Sequence, residues 1–344
     1  MKPYLLTELP TNIDNAGFKA KDDIRSTLGD TVIPLTIREY TGWRKLPALL
    51  RLLNRLNRIP RGGTLYIQCP VFSFFSRKFM PTVCRLLRRR QLQVVLILHD
   101  VNSLRYPEKA PLLRPSERQL YTLAKRIVVH NQKMKDVLQT SHGIPAEKMV
   151  TLDIFEYLCE EPTAEAGAET AFTRTVFVAG NLNPVKSGYL YKLGELADTV
   201  TVNLYGGGFA AEAAADTLHH QGSFPPDELP RHLKGNFGLI WDGEAVDSCT
   251  GQTGEYLRIN NPHKTSLYLA AGFPVVIWKQ AALAPFITEN GLGLAVDSLE
   301  ELPAVFDRLT QEEYSRMREN VRRVGGGLRS GAQIRRALQE AEAR

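Results

Sequence analysis

The chain has 344 residues, 43% of them hydrophobic and 23% charged, with a net charge of +6, which is enough apolar sequence for two cores rather than one. The N-terminal segment MKPYLLTELPTNIDNAG has one lysine and only a few apolar residues before Glu8, short of a signal-peptide core. No segment approaches the ~18 uninterrupted apolar residues of a membrane span, so a soluble cytoplasmic protein is expected. Cys69, Cys84, Cys159 and Cys249 are far apart and form no CxxC pair, which argues against a zinc site and against a disulfide framework. No DxD triplet occurs, so the acidic pair that commonly holds a divalent cation is missing, and no metal or other cofactor is expected.

Short β-rich runs alternate with helical patterns from the start of the chain. Tyr4 to Leu6 reads as the first strand. Its loop, TELPTNIDNAG, carries Asp14, Asn15 and Gly17 into a helix beginning near Phe18, whose first amides suit a phosphate or an acceptor. Val32 to Thr36 is the second strand. Residues 41–90 then hold twelve Lys and Arg and no Asp or Glu. Within them, WRKLPALLRLLNRLNRIPRGG sets Leu49, Leu52, Leu53 and Leu56 at helical spacing, with Arg51, Arg55 and Arg58 on another face. Such a helix packs on a core with its polar face in solvent, or its charge draws in anionic headgroups or a phosphorylated acceptor. It could equally serve as an interface in a homo-oligomer. Nucleic acid is not expected as a partner, since no helix-turn-helix, zinc finger or RNP pattern accompanies the charge.

Thr64 to Gln68, Val94 to His99, Arg126 to Val129 and Met149 to Leu152 complete six strands, and the alternation implies a mostly parallel sheet covered by helices. In such sheets ligands sit beyond the carboxyl ends of the strands. The fourth strand delivers His99 and Asp100 there, either of which can take a proton from an acceptor hydroxyl near neutral pH. His130 and Asn131 precede a helix and are equally compatible with an N-cap.

A composition break at CEEPTAEAGAETAFTR marks a linker. Beyond it Thr175 to Ala179, Thr201 to Tyr205, Phe237 to Trp241, Val275 to Trp278 and Leu294 to Val296 read as strands of a second α/β domain. Gly180 and Asn181 follow the first of these, where small residues let the backbone approach an anion and Lys186 could neutralise it. Tyr205 and Gly206 repeat the pattern after the next strand, without the GxGxxG signature of a nicotinamide site. The densest polar cluster comes last: Glu255 in TGEYLRIN, then Asn260, Asn261, His263, Lys264 and Thr265 at the start of an apolar helical run. A helix N-terminus with an adjacent lysine suits a diphosphate leaving group. The tail from Gln311 to Arg344 is helical, and Gly325-Gly326-Gly327 is expected to break it into two helices that cross back to the first domain.

The segments DNAGFKA, LHDVNSLRY, VHNQKM, DIFEYL, VFVAGNL, FGLIWDG and GEYLRINNPHKTSLYLAAGFPVVIW together resemble a family of bacterial GT-B glycosyltransferases. That family includes O-antigen β-1,6-galactofuranosyltransferases and glucosyltransferases that extend adhesin glycans, and DNAGFKA is closer to the galactofuranosyl branch. The resemblance implies two Rossmann-like α/β/α domains facing a cleft, an acceptor-side domain over 1–155, a nucleotide-sugar domain over 172–310, and C-terminal helices over 311–344. It further implies a UDP-sugar donor near Gly180, Asn181, Asn261, His263 and Lys264, and a glycan or lipid-linked oligosaccharide acceptor. The glutamate pair spaced eight apart that marks many retaining members is absent, because the eighth residue after Glu255 is His263, which favours inversion. Direct displacement is therefore expected, with Lys264 and helix amides stabilising the departing diphosphate and Asp100, His99 or Asp14 as base.

Overall fold

The computed structural model describes residues 1–9, 16–39, 42–71, 78–161, 171–196, 199–213, 215 and 217–343. The chain divides into two compact units, Met1–Leu152 with Gln333–Arg344, and Asp153–Ala332.

The first unit contains strands β1 (Tyr4–Leu9), β2 (Ile33–Arg38), β3 (Thr64–Cys69), β4 (Gln93–Leu98), β5 (Arg126–Val129) and β6 (Met149–Thr151). They form one parallel sheet in the order β2-β1-β3-β4-β5-β6. Between them run helices α1 (Ala16–Leu28), α2 (Lys45–Asn57), α3 (Met80–Arg89), α4 (Asn102–Arg105), α5 (Ala110–Leu123) and α6 (Gln132–His142). The all-parallel register needs such crossovers, and strands covered on both faces become continuously apolar, as in Val94–Leu98, all buried. In α2, Ala48, Leu49, Leu52 and Leu56 face the core while Arg51 and Arg58 are exposed, as the heptad-like spacing requires. Arg55 departs from that division, donating from Nη1 to the Thr36 carbonyl at 2.6 Å. Asn131 is the N-cap of α6, accepting from the Met134 amide at 2.9 Å, and Gly143 ends the helix in the left-handed region.

The second unit repeats the plan with β7 (Thr175–Ala179), β8 (Thr201–Tyr205), β9 (Leu218–His220), β10 (Phe237–Ile240), β11 (Val275–Trp278) and β12 (Gly293–Val296), in the order β12-β11-β10-β7-β8-β9. Its helices are α7 (Leu229–His232), α8 (Gly251–Tyr256), α9 (His263–Ala270), α10 (Ala284–Glu289), α11 (Leu302–Arg308) and α12 (Gln311–Ser330). Strand β9 escapes sequence reading because only Leu218 of its three residues is buried, and two exposed histidines carry no alternation to detect. The expected linker falls largely on residues 162–170, outside the described residues.

The expected break at Gly325-Gly326-Gly327 is corrected by the structure, in which α12 runs through all three glycines without interruption. A Cβ on Gly325 would lie 2.6 Å from the Leu269 carbonyl oxygen, so glycine here lets α12 lie close against α9. Burial of Tyr314, Val321 and Leu328 on the same helix offsets the roughly 1 kcal/mol that each interior glycine costs. The chain turns instead at Gly331, with φ of 72°, and enters α13 (Ala332–Ala343). Helix α13 belongs to the first unit, where Arg335 donates to the Thr27 carbonyl at 3.0 Å and Arg336 to that of Leu152 at 2.9 Å.

Candidate functional site

Strand order decides where each unit can hold a ligand. In the first sheet the order reverses between β1 and β3, and in the second between β7 and β10, which opens a crevice at the carboxyl ends of those strands.

At that edge of the first unit, buried polar groups gather around Gln68 at the end of β3. Its Nε2 donates to Thr7 Oγ1 at 2.8 Å and to the Lys21 carbonyl at 3.0 Å. A carbonyl only accepts, so the amide nitrogen must face Lys21, and Oε1 is left to face His99 Nε2 at 2.8 Å. His99 Nε2 therefore carries the proton, and in the neutral ring Nδ1 is the basic atom. Asp100 lies beside it but accepts from Arg105 Nη1 at 2.5 Å, a charge-assisted bond that favours the carboxylate and weakens it as a base. The Lys21 ammonium donates to the Pro70 carbonyl at 2.8 Å. Burial pushes it below its ordinary pKa, against the raising fields of Glu8, Cys69, Asp100 and Glu39.

The loop that presents His99 and Asp100 is held from behind. Glu117 Oε1 accepts from the Ser103 amide at 3.0 Å in α4, and its other oxygen lies 3.2 Å from His142 Nε2, all three side chains being buried. His130 is wholly buried at the end of β5, bonded to the backbone of Leu98 and His99, and burial drives its pKa down to about 4. It is a packing residue under the site. Asp14 and Asn15 lie outside the described residues, and Gly17 falls in the first turn of α1.

In the second unit the loops after β7 and β8 interlock. The Gly180 amide donates to the Tyr205 carbonyl at 2.9 Å, and a Cβ on Gly206 would strike the Gly180 oxygen, so only glycine fits there. Gly180 and Gly206 have φ of 143° and 139°, and nothing lies within 4 Å of where a Gly180 side chain would begin. Asn181 turns its Oδ1 to the Asn183 amide at 2.9 Å, and Lys186 sits half-buried in the following turn. Tyr205 is a core residue, its hydroxyl accepting from the Lys234 amide at 3.0 Å.

The polar cluster at the start of α9 divides its labour. Asn261 Nδ2 donates to the Asp153 carbonyl at 2.9 Å, and His263 Nε2 bonds the Glu156 carbonyl at 3.0 Å with its ring against Tyr157. Both therefore anchor the segment Asp153–Tyr157. Lys264 Nζ donates to the Trp241 carbonyl at 2.6 Å and to Asp242 Oδ1 at 3.1 Å, which fixes the ammonium beside the carboxyl end of β10. Its third N–H has no acceptor among the described residues. Thr265 is fully buried with no partner for its hydroxyl, and the half-buried Asn260 likewise leaves its Oδ1 without a donor. Glu255 stands apart on the surface, paired with Arg258 Nε at 2.7 Å. Tyr268, one turn into α9, ties the helix to the end of β7 by accepting from the Ala179 amide at 2.7 Å.

Within the second unit the structure gathers Gly180, Gly206, Lys264 and Asp242 about the β7 and β10 ends, and within the first it sets Gln68 beside His99 and the Lys21 backbone; sequence reasoning passed over Asp242, Gln68 and Lys21. Asp242 was legible in principle, as the acid directly after an apolar strand. Gln68 and Lys21 were not, because their role depends on neighbours brought from distant strands. Among the described residues no group of three or more His, Cys, Asp or Glu could hold a metal, and no helix is long and apolar enough to cross a membrane.

Residues 4–154 match the family model described as Glucosyltransferase 3-like, N-terminal domain, and residues 176–341 match its C-terminal counterpart. The chain is 30% identical to the beta-1,6-galactofuranosyltransferase WbbI of Escherichia coli K12, covering 98% of this chain and 97% of that protein. Glucosyltransferase 3 of Streptococcus gordonii is 26% identical, covering 81% and 79%. The crystal structure of Anabaena Alr3699/HepE in complex with UDP superposes with a TM-score of 0.61 at 14% identity, over 100% of this chain and 99% of that one. The fold is GT-B, and the chain belongs to the glucosyltransferase 3-like family of glycosyltransferases.

Proposed function

We propose that this glycosyltransferase moves galactofuranose from UDP to a carbohydrate acceptor during synthesis of a bacterial surface polysaccharide, with inversion at the anomeric carbon. The second unit takes the UDP-sugar and the first takes the acceptor. The observation that carries the reading is Lys264, held by Trp241 and Asp242 at the mouth of the β7/β10 switch point. There its third N–H and the first amides of α9 can meet a diphosphate oxygen as negative charge develops. The full-length identity with the galactofuranosyltransferase of Escherichia coli supports the choice of sugar. The similarity to the streptococcal glucosyltransferase favours glucosyl transfer as the second reading.

The acceptor hydroxyl loses its proton to a base drawn from His99, Asp100 and Asp14. Asp100 is engaged by Arg105, and the Gln68 bond to Nε2 orients the His99 ring, whose Nδ1 is buried. Transfer proceeds without a divalent cation, since a lysine and helix amides do the electrostatic work that a metal does elsewhere. A lipid-linked acceptor brings the protein to the cytoplasmic face of a membrane through its basic residues 41–90, and association into homo-oligomers accompanies this reading.

The test is a panel of UDP-galactofuranose and UDP-glucose with glycoside and lipid-linked acceptors, read by mass spectrometry with EDTA present. Undiminished transfer from UDP-galactofuranose is expected. Transfer only from UDP-glucose moves the reading to the glucosyl branch, and UDP binding without transfer to any acceptor makes the chain a non-catalytic subunit.

A further inference from the structure

The loop that carries His99 and Asp100 runs directly into α4, a helix of four residues, Asn102–Arg105. So short a helix does not hold itself, because nucleation fixes several residues for a single hydrogen bond. Its N-cap is Val101, whose backbone is extended as a cap's should be but whose side chain has no oxygen for the first amides. The amides of Leu104 and Arg105 turn back to the Val101 carbonyl at 3.0 and 2.9 Å, and that of Tyr106 to the Asn102 carbonyl at 2.8 Å. The Ser103 amide, second in the helix, has no preceding turn to pair with. It donates to Glu117 Oε1 at 3.0 Å, so a side chain of α5, 14 positions further on, does the work of the missing cap.

Glu117 is itself buried, and among the described residues no lysine or arginine pairs with it. A carboxyl group in such a place is sustained by its hydrogen bonds. Its second oxygen lies 3.2 Å from His142 Nε2, and the same nitrogen lies 3.3 Å from Ser103 Oγ. The His142 ring is fixed in turn by the Ser141 hydroxyl, 2.7 Å from Nδ1. Glu117, His142 and Ser103 therefore close a triangle that sets α4 against α5. The consequence reaches the end of β4. Arg105, two residues beyond Ser103 in the same turn, lays Nη1 on Asp100 Oδ2 at 2.5 Å. Fraying of α4 would release that pair, and with it the loop in which His99 and Asp100 stand.

We propose that Glu117 is a positioning residue for sugar transfer: by capping α4 from α5 it holds Asp100, Arg105 and His99 where the acceptor hydroxyl is received, without touching either substrate. The inference rests on the reading of His99 and Asp100 as the proton-taking end of the first unit.

The experiment compares the wild type with three variants of the full chain. Glu117→Gln keeps an acceptor oxygen for the Ser103 amide, whereas Glu117→Met keeps the length of the side chain and loses both oxygens. The third adds Val101→Thr to Glu117→Met, which places a hydroxyl at the N-cap itself. Turnover is measured with the UDP-sugar that the wild type uses and varied acceptor, UDP affinity by calorimetry, folding by thermal unfolding, and the order of α4 by hydrogen exchange over residues 99–106. Glu117→Met should lower kcat roughly 30-fold, with UDP affinity unchanged and faster exchange over 99–106. Glu117→Gln should stay within about threefold of the wild type, and Val101→Thr should recover roughly fivefold of the loss. Should Glu117→Met alone not fold, the double variant is set against Glu117→Gln, and kcat and exchange that match between those two overturn the proposal. So do equal losses in the Gln and Met variants, no recovery on adding Val101→Thr, or a loss of turnover that merely follows the folded fraction. Undiminished turnover in both His99→Asn and Asp100→Asn overturns the reading of the site itself. A loss in either of those beside normal turnover in Glu117→Met overturns the present inference alone.

Discussion

At the residue scale, a few side chains are held by partners that define what each can do. Lys264 has two of its three N–H groups committed to Trp241 and Asp242, which orients the ammonium at low entropic cost before a substrate arrives. Lys264→Ala should lower kcat on the order of 100-fold with little change in unfolding temperature, measured by donor turnover and calorimetry. Asp242→Asn should keep the geometry but remove the carboxylate partner. His130 makes a different point, because it was noticed beside an N-cap and is instead a neutral imidazole in the core. Its folded pKa, about 4, lies below the ordinary 6.5, so only the unfolded chain takes up a proton as pH falls through that window. The stability it contributes is present above pH 6.5 and is lost toward pH 4. Replacement of His130 by Asn should flatten the pH dependence there by about 2–3 kcal/mol, read as denaturant midpoints at neutral and acidic pH.

Elements are positioned by close approaches that leave little room for substitution. Helix α12 meets α9 at Gly325, where a methyl group would press on the Leu269 carbonyl. Gly325→Ala should therefore cost ~1–3 kcal/mol despite the better helix propensity of alanine. Gly327→Ala, two residues on, meets nothing within 4 Å and should stabilise the protein by up to ~1 kcal/mol. Thermal melts of the two variants, shifting in opposite directions, separate a packing role for the glycines from a hinge. If both variants stabilise, the close contact carries no energy. The α9 helix matters to the site because Tyr268 carries its position to the end of β7, directly before Gly180.

For the whole molecule, the arrangement of the chain in two units makes the last helix a part of the first. Ile334, Ala337, Leu338 and Ala341 of α13 are buried, and Tyr66 of β3 hydrogen-bonds Glu342. Removal of residues 333–344 should expose the surface of the first unit that this face covers and destabilise that unit while the second stays folded. Limited proteolysis should then cut within residues 1–152 and spare 153–332, whereas uniform digestion of both would count against independent units.

How much of this was legible beforehand follows from the range of the forces involved. Eleven of the strands, the amphipathic α2 and the post-strand loops could be read from sequence because strand and helix periods and turn residues act over a few neighbours. So could the family, since its motifs are contiguous. Tertiary structure alone decided which post-strand loops meet, because strand order is set by crossovers that join distant segments. It alone turned Asn261 and His263 toward the backbone of Asp153 and Glu156, fixed the His99 tautomer through Gln68, and converted three consecutive glycines from an apparent break into a contact surface. Each of those outcomes depends on an atom contributed by a residue far along the chain, and local pattern carries no information about which atom that will be.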